Sequence, residues 1–396
     1  MASERIEDRW RMDSARNFYS EYNLGPKVGK GAFAQVHAAT AKQTHEELAV
    51  KIVDIRHCGQ SPSPTHVCYS VDKEVNVWQA VGKHANCVHL HASFHDESLC
   101  YMVMEKCTSL LPHLRSMEKI NERTIGHVFS QMLLGVSHLH SVNVVHRDIK
   151  PDNFLVGSDG VTIKLADFGL SALLPRGGKL LHTAGTPWFT GPEMLSNRGY
   201  NEKVDIWSLG VVTYLLLFGS FPYMPKEHTA ADMHKAIAEG SPPVFEAADK
   251  SFRSDVAVDF VKALLTRNPK QRPSASDALA MPYIGAVVSS RHEPDVELPS
   301  LRPMLRLAGR LGAFDVTSNA PWLTSIDAEL TRLQKKQMQG NFSVHRSRDS
   351  QRRPSLALLK KWAGLEVFVL NLNFVTEGLT AGKEKIACSP NTFAPF

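Results

Sequence analysis

The sequence has no apolar run close to the roughly 18 residues that a membrane-spanning helix needs, so no span is expected. Its opening, MASERIEDRWRMDSARN, is charged and lacks the apolar core of a secretory signal. Ala2 stands where N-myristoylation requires glycine. The six cysteines (Cys58, Cys68, Cys87, Cys100, Cys107 and Cys388) include no C-x-x-C pair. That excludes a zinc ribbon and a disulfide framework and fits a reducing compartment. The 18 histidines are scattered, without the grouping of a metal centre. No D-x-D-x-D-G calcium loop occurs, so the chain has no EF-hand of its own. These absences lead to the expectation of a cytoplasmic location, with the nucleus left open.

Charge gives little away. The formal net charge is +5, and residues 291–396 hold 15 of the 45 Lys+Arg and 10 of the 40 Asp+Glu, so the first 290 residues are neutral. An excess so diffuse argues against nucleic acid as a partner. At 396 residues and 43% hydrophobic, the chain is long enough for one large domain and an extension.

The informative stretch is Val144 to Gly169, VVHRDIKPDNFLVGSDGVTIKLADFG. Phe154–Val156 reads as a short strand, Gly157–Gly160 as a tight turn and Val161–Ala166 as the returning strand. Such a hairpin brings Asp148, Asn153 and Asp167 toward one site. Phosphoryl transfer needs hard oxygen ligands for Mg2+, a cation on the phosphate and a carboxylate to orient the attacking hydroxyl. Asp167 and Asn153 suit the first need, Lys150 the second and Asp148 the third. A polar loop between two core strands is the plainer alternative for either half alone. His146-Arg147-Asp148 through Asn153 resembles the catalytic loop of protein kinases, and Asp167-Phe168-Gly169 resembles their DFG motif.

The rest of the chain carries further resemblances in family order. Val28-Gly29-Lys30-Gly31 with Val36 resembles the glycine-rich loop over ATP phosphates, with Ala34 in place of a third glycine. Leu48-Ala49-Val50-Lys51-Ile52 resembles the strand whose Lys holds the nucleotide phosphates. A Lys inside so apolar a run needs an anionic partner. Residues 54–70 read as a long loop. Residues 71–81 show helical spacing at Val71, Val75, Trp78 and Val81; the resemblance makes Glu74 the partner of Lys51 and sets Trp78 beside Leu90, His146 and Phe168. Val88–Leu90 and Cys100–Met104 read as two further strands. Met104 is then the gatekeeper, Glu105-Lys106-Cys107 the hinge against adenine, and Ala49 and Leu155 its apolar neighbours. Residues 125–141 read as a long amphipathic helix.

Beyond the DFG motif, Gly191-Pro192-Glu193 takes the place of A-P-E, and Glu193 is expected to pair with Arg272. Thr186 is expected to bond Asp148 and Lys150. Thr183 is expected as a phosphosite docking on Arg147, with a plain loop threonine as the alternative. Asp205 is expected to bond the backbone of the catalytic loop. Lys150 in Asp148-Ile149-Lys150-Pro151 resembles Ser/Thr rather than tyrosine kinases, and Asp205-Ile206-Trp207-Ser208-Leu209-Gly210 resembles the calcium/calmodulin-dependent group. Where basophilic kinases carry acids stand Leu111 and Leu215, with Asp152 alone acidic, so no arginine-directed consensus is assigned.

The resemblance implies an α+β, two-lobed protein kinase. Residues 1–21 form a lead-in and residues 22–284 the domain, with a small five-stranded lobe to about 104 and a larger, mainly helical lobe from about 108. Residues 285–396 form an extension. It also implies ATP and Mg2+ as cofactors and Ser/Thr-containing proteins as substrates; the alternative is a pseudokinase scaffold. In the extension, 324–340 reads as a helix, and Arg352-Arg353-Pro354-Ser355 resembles a basophilic phosphorylation site. The basic piece Leu356–Trp362 is where related kinases bind calmodulin. A helix packed on the large lobe or a disordered tail is the alternative there.

Overall fold

The computed structural model describes residues 17–30, 34–55, 65–96, 98–196, 198–225, 229–245, 253–289, 298–311, 326–327 and 329–332. Gly31 and Ser355, both expected in functional roles, lie outside these residues, as does the piece at 356–362.

A short helix α1 (Phe18–Glu21) leads into β1 (Tyr22–Lys30), β2 (Ala34–Ala41) and β3 (Glu47–Asp54). Helix α2 (Thr65–Val81) follows, then β4 (Leu90–His95) and β5 (Leu99–Glu105). The five strands form one antiparallel sheet in the order β1-β2-β3-β5-β4. Alternation along β3 sets the direction of Lys51. Leu48, Val50 and Ile52 join the apolar cluster on one side of the sheet, while Val53 packs into the other, larger core and Lys51 points with it.

In the small lobe, two elements differ from the sequence expectation. The helix begins at Thr65, directly after Pro64, so the loop expected over 54–70 is shorter. Val67 and Cys68, four and three residues before Val71, extend the helical spacing, but the Pro- and Ser-containing stretch just before them reads as loop. The strand expected at Val88 begins at Leu90. Val88 is diverted: its N–H donates to Leu165 O at 2.8 Å, and its carbonyl accepts the Trp78 indole N–H at 2.7 Å.

The large lobe starts with β6 (Thr108–Ser109) and α3 (Leu110–Ser116), then α4 (Glu122–Ser141), capped by Asn121, whose side chain accepts the Thr124 N–H. Short strands β7 (Val144–Val145), β8 (Phe154–Val156), β9 (Ile163–Leu165) and β10 (Ala172–Leu173) carry the stretch of interest. β8 pairs with β9, and β10 pairs with β7. The returning strand is shorter than expected because Asp159 accepts the Val161 and Thr162 N–H groups and extends the turn. Helix α5 (Lys203–Phe218) is buried on nearly every side and stops at Gly219, whose φ of 73° only glycine adopts freely. Helices α6 (Ala230–Glu239), α7 (Asp255–Leu264), α8 (Ala275–Leu279) and α9 (Pro282–Ser289) complete the lobe. Helix α10 (Arg302–Leu311) sits on it, with Leu301 and Leu305 in the large-lobe core and Arg302 donating to the Met117 and Glu118 carbonyls.

Candidate active site

Lys51 reaches two carboxylates at once. Its Nζ lies 2.7 Å from Glu74 Oε1 on α2 and 2.7 Å from Asp167 Oδ1 just after β9. A sheet, a helix and the large lobe thus meet at one ammonium. Burial disfavours the charge on Lys51, but Asp167 and then Glu74 outweigh it and hold the Lys51 pKa above its ordinary value. Burial raises the Glu74 pKa against the pull of Lys51. The Lys51 charge, against the opposing effect of burial, lowers Asp167 to about 2.

The backbone is forced here. Asp167 has φ 61° and Arg147 φ 68°, left-handed values that non-glycine residues rarely adopt. The cause lies in α5. Asp205, fully buried, accepts Arg147 N–H on Oδ1 and His146 N–H on Oδ2, each at 2.9 Å, and a His140 Nε2 contact at 2.9 Å on Oδ2. Burial alone would raise the Asp205 pKa; the His140 bond and charge and the His146 charge outweigh it and lower it. His146 is itself buried, and its Nε2 lies 3.0 Å from the Ala166 carbonyl, one residue before Asp167. One carboxylate therefore fixes the loop that carries Asp148 and, through His146, the turn that carries Asp167. Sequence reasoning missed His140, whose only signal is that a buried Asp needs a further donor.

Asp148 is surrounded by donors. Its Oδ1 accepts the Thr186 N–H at 2.9 Å and the Thr186 hydroxyl at 2.8 Å. Its Oδ2 lies 2.9 Å from Lys150 Nζ and 3.2 Å from Asn153 Nδ2. Lys150 also donates to Thr186 Oγ1 at 3.1 Å. Gly185 makes this approach possible: its φ is 97°, and a Cβ there would collide with the Arg147 carbonyl.

Behind the site, Phe168 is buried between Trp78, at 5.4 Å between ring centroids, and His146, at 5.6 Å. Ala49 pairs with Met104 across β3 and β5, Val36 pairs with Lys51, and Leu155 and Cys107 are partly buried against the core. The Glu105 carboxylate turns away to the His89 N–H and Lys164. Val28 and Gly29 lie on β1, Val28 40% exposed.

Glu193 and Arg272 meet in a fork, at 2.6 and 3.0 Å. Thr183 and Arg147 are not brought together by any bond among the described residues. The Thr183 hydroxyl donates to Met194 O, while Arg147 donates to Leu170 O and to the Tyr200 hydroxyl.

The donors present suit a hard divalent cation. The Asp167 side chain is 51% exposed, and Asn153 uses its Nδ2 on Asp148 O, which leaves its amide oxygen as an acceptor. A half-buried ammonium held between two carboxylates, beside a carboxylate wrapped in donors, is what fold and site define for phosphate chemistry.

Residues 22–284 match the protein kinase domain, and the chain belongs to the protein kinase family. It is 33% identical over 295 residues to CDPK-related kinase 8 of Arabidopsis thaliana, covering 73% of this chain and 47% of that one. It is 31% identical over 293 residues to a calcium/calmodulin-dependent protein kinase type II of Caenorhabditis briggsae (72% and 53%). It is 34% identical over 266 residues to an Aurora kinase of Schizosaccharomyces pombe (66% and 71%). The chain spans about half the length of the first two relatives.

Proposed function

We propose that the protein is an ATP-dependent protein serine/threonine kinase. The observation that carries this is the double contact of Lys51 with Glu74 and Asp167, set beside an Asp148 already engaged by Lys150, Asn153 and Thr186. Lys51, fixed from two sides, offers its charge to the nucleotide phosphates without reorganising. Val28, Gly29, Val36, Ala49, Met104, Glu105, Cys107 and Leu155 form the nucleotide cleft. Asp167 and Asn153 hold Mg2+, which when bound neutralises charge on the phosphates.

A carboxylate offers about four lone-pair sites, and Asp148 has four donors. The rotatable Thr186 hydroxyl is the one that a substrate hydroxyl can replace. It stands where the acceptor will stand, so Asp148 orients the incoming Ser or Thr oxygen, and Lys150 balances charge on the phosphoryl group. A scaffold role would fit a chain that had lost Lys51, Asp148 or Asp167, and all three are present.

Regulation at Thr183 through Arg147, phosphorylation at Ser355, and calmodulin binding at 356–362 belong to the same reading. For calmodulin the support is the name of relatives of the calcium/calmodulin-dependent type.

The test is Mg2+-dependent transfer to a mixed Ser/Thr peptide library, with Asp148→Asn as control. Phosphoserine or phosphothreonine formed by the native chain and lost in the control supports the reading. Bound nucleotide without turnover by the native chain overturns it.

A further inference from the structure

The small-lobe sheet is apolar on both faces. One face holds Ala49, Lys51 and the core beneath them. The other presents Leu48, Val50 and Ile52 of β3, Leu99, Tyr101 and Val103 of β5, and Ala39 of β2, all buried. An antiparallel sheet in a soluble protein usually leaves one face to water, so burial here requires a cover. Part of it is aromatic and local: Phe18 stacks on Tyr101 at 4.9 Å and on Tyr22 at 5.6 Å. The rest comes from far along the chain. Ile326 (0% exposed) and Leu330 (4%) lie in the same cluster. They are four residues apart, on one face of a helical turn. Asp327, on the outward side, lies 3.9 Å from Lys27 of β1, the strand that leads into the glycine-rich turn.

We propose that the outer face of this sheet is a docking surface for the chain's own segment at 326–330, and that its occupancy holds the nucleotide-binding sheet in working geometry. The segment lies on the reverse of the face that carries Lys51, so it neither fills the cleft nor meets Asp148. It shares one apolar cluster with residues of β2, β3 and β5 and approaches Lys27 of β1, the strands that position Lys51 and the glycine-rich turn. The same extension is anchored on the large lobe at Leu301, Arg302 and Leu305. Such a segment acts as a support for nucleotide binding, the opposite sign to a segment that blocks a site.

The proposal rests on the kinase reading for its purpose, but its test uses nucleotide affinity, which needs no turnover. In the full chain, Leu330→Asp places a charge in the apolar seat, and Thr331→Asp does the same on the exposed side as a control. The expected result is an ATP dissociation constant raised at least threefold by Leu330→Asp and unchanged by Thr331→Asp. Amide exchange of the unmodified chain gives the reciprocal reading: a non-hydrolysable ATP analogue with Mg2+ slows exchange at 326–332, because coupling between two binding events is mutual. Tighter ATP binding or higher activity in Leu330→Asp overturns the proposal, as does an unchanged affinity with 326–332 released. If Leu330→Asp does not fold, exchange in the native chain decides alone, and protection indifferent to nucleotide overturns the proposal. Failure of phosphoryl transfer with both affinity and exchange as expected would overturn the catalytic reading only.

Discussion

Replacing Arg272 tests the physical reasoning most severely. The residue is 1% exposed, and a guanidinium has five N–H donors. All five are used: Nε on Thr266 O, Nη1 on Glu193 Oε1 and Lys203 O, Nη2 on Glu193 Oε2 and Arg267 O. The Trp207 ring lies beneath, 5.1 Å away. Arg272→Met keeps most of the volume and removes every donor, stranding a carboxylate and three carbonyls. Breaking a buried ion pair from one side costs about 3–5 kcal/mol. Glu193 retains some contact with water, its side chain 10% exposed, so the lower half of that range is expected. For a domain of this size each kcal/mol moves the melting temperature by roughly 2–4 °C, giving a fall of roughly 6–16 °C. Arg272→Lys keeps the charge but offers three donors for five acceptors. Two acceptors are left over, and at about 1–2 kcal/mol each, the lower part of the range for a buried unpaired group, it should lose about 2–4 kcal/mol. Urea denaturation with the midpoint as readout measures both. A Met variant within about 1 kcal/mol of the native chain, or a Lys variant equal to it, would show that the saturated fork is not what stabilises this part of the lobe.

Gly185→Ala should cut phosphoryl transfer by at least tenfold, since the added methyl meets the Arg147 carbonyl and displaces the loop that carries Asp148; steady-state kinetics checks it. Asp167 is held at about 2, so it stays ionised in the folded chain down to that value. Its stabilising contribution is therefore complete above the unfolded carboxylate range near 4, and is lost as pH falls toward 2. Lys51→Met should bring the Asp167 pKa up, as read by carboxyl NMR titration; a value still near 2 would sink the assignment of cause. Burial pushes the Cys107 thiol up to about 12. Its alkylation at pH 8 should therefore run on the order of 10³-fold slower than that of a free cysteine, read by peptide mass mapping.

The site was more legible than the fold. Residues such as Asp148, Asn153 and Asp167 sit within one short stretch, and their chemistry is written in residue type and order. Lys51 announced itself as a charge in an apolar strand, which needs a counter-ion somewhere. What the sequence hid were partners set by tertiary packing. Nothing near His140 says that it will meet Asp205. The spacing around 324–340 suggests a helix but not the surface it will cover. The clue lay elsewhere, in β3, where Leu48, Val50 and Ile52 are as apolar as the face they turn their backs on. Val88 reads as strand because it is β-branched and alternates with Leu90 across His89. The structure uses its backbone to tie Trp78 and Leu165 instead.

Trp78 has one further consequence. Its indole is buried, fastened to the Val88 carbonyl and laid against Phe168. Rotating α2 to withdraw Glu74 from Lys51 would pull that ring from its seat and open a void. Emptying a site of this size costs about 3–5 kcal/mol, a cost that any withdrawal of Glu74 has to meet. The indole thus pegs the helix that carries Glu74, and the assembled ion pair at the cleft is tied to the packing behind it.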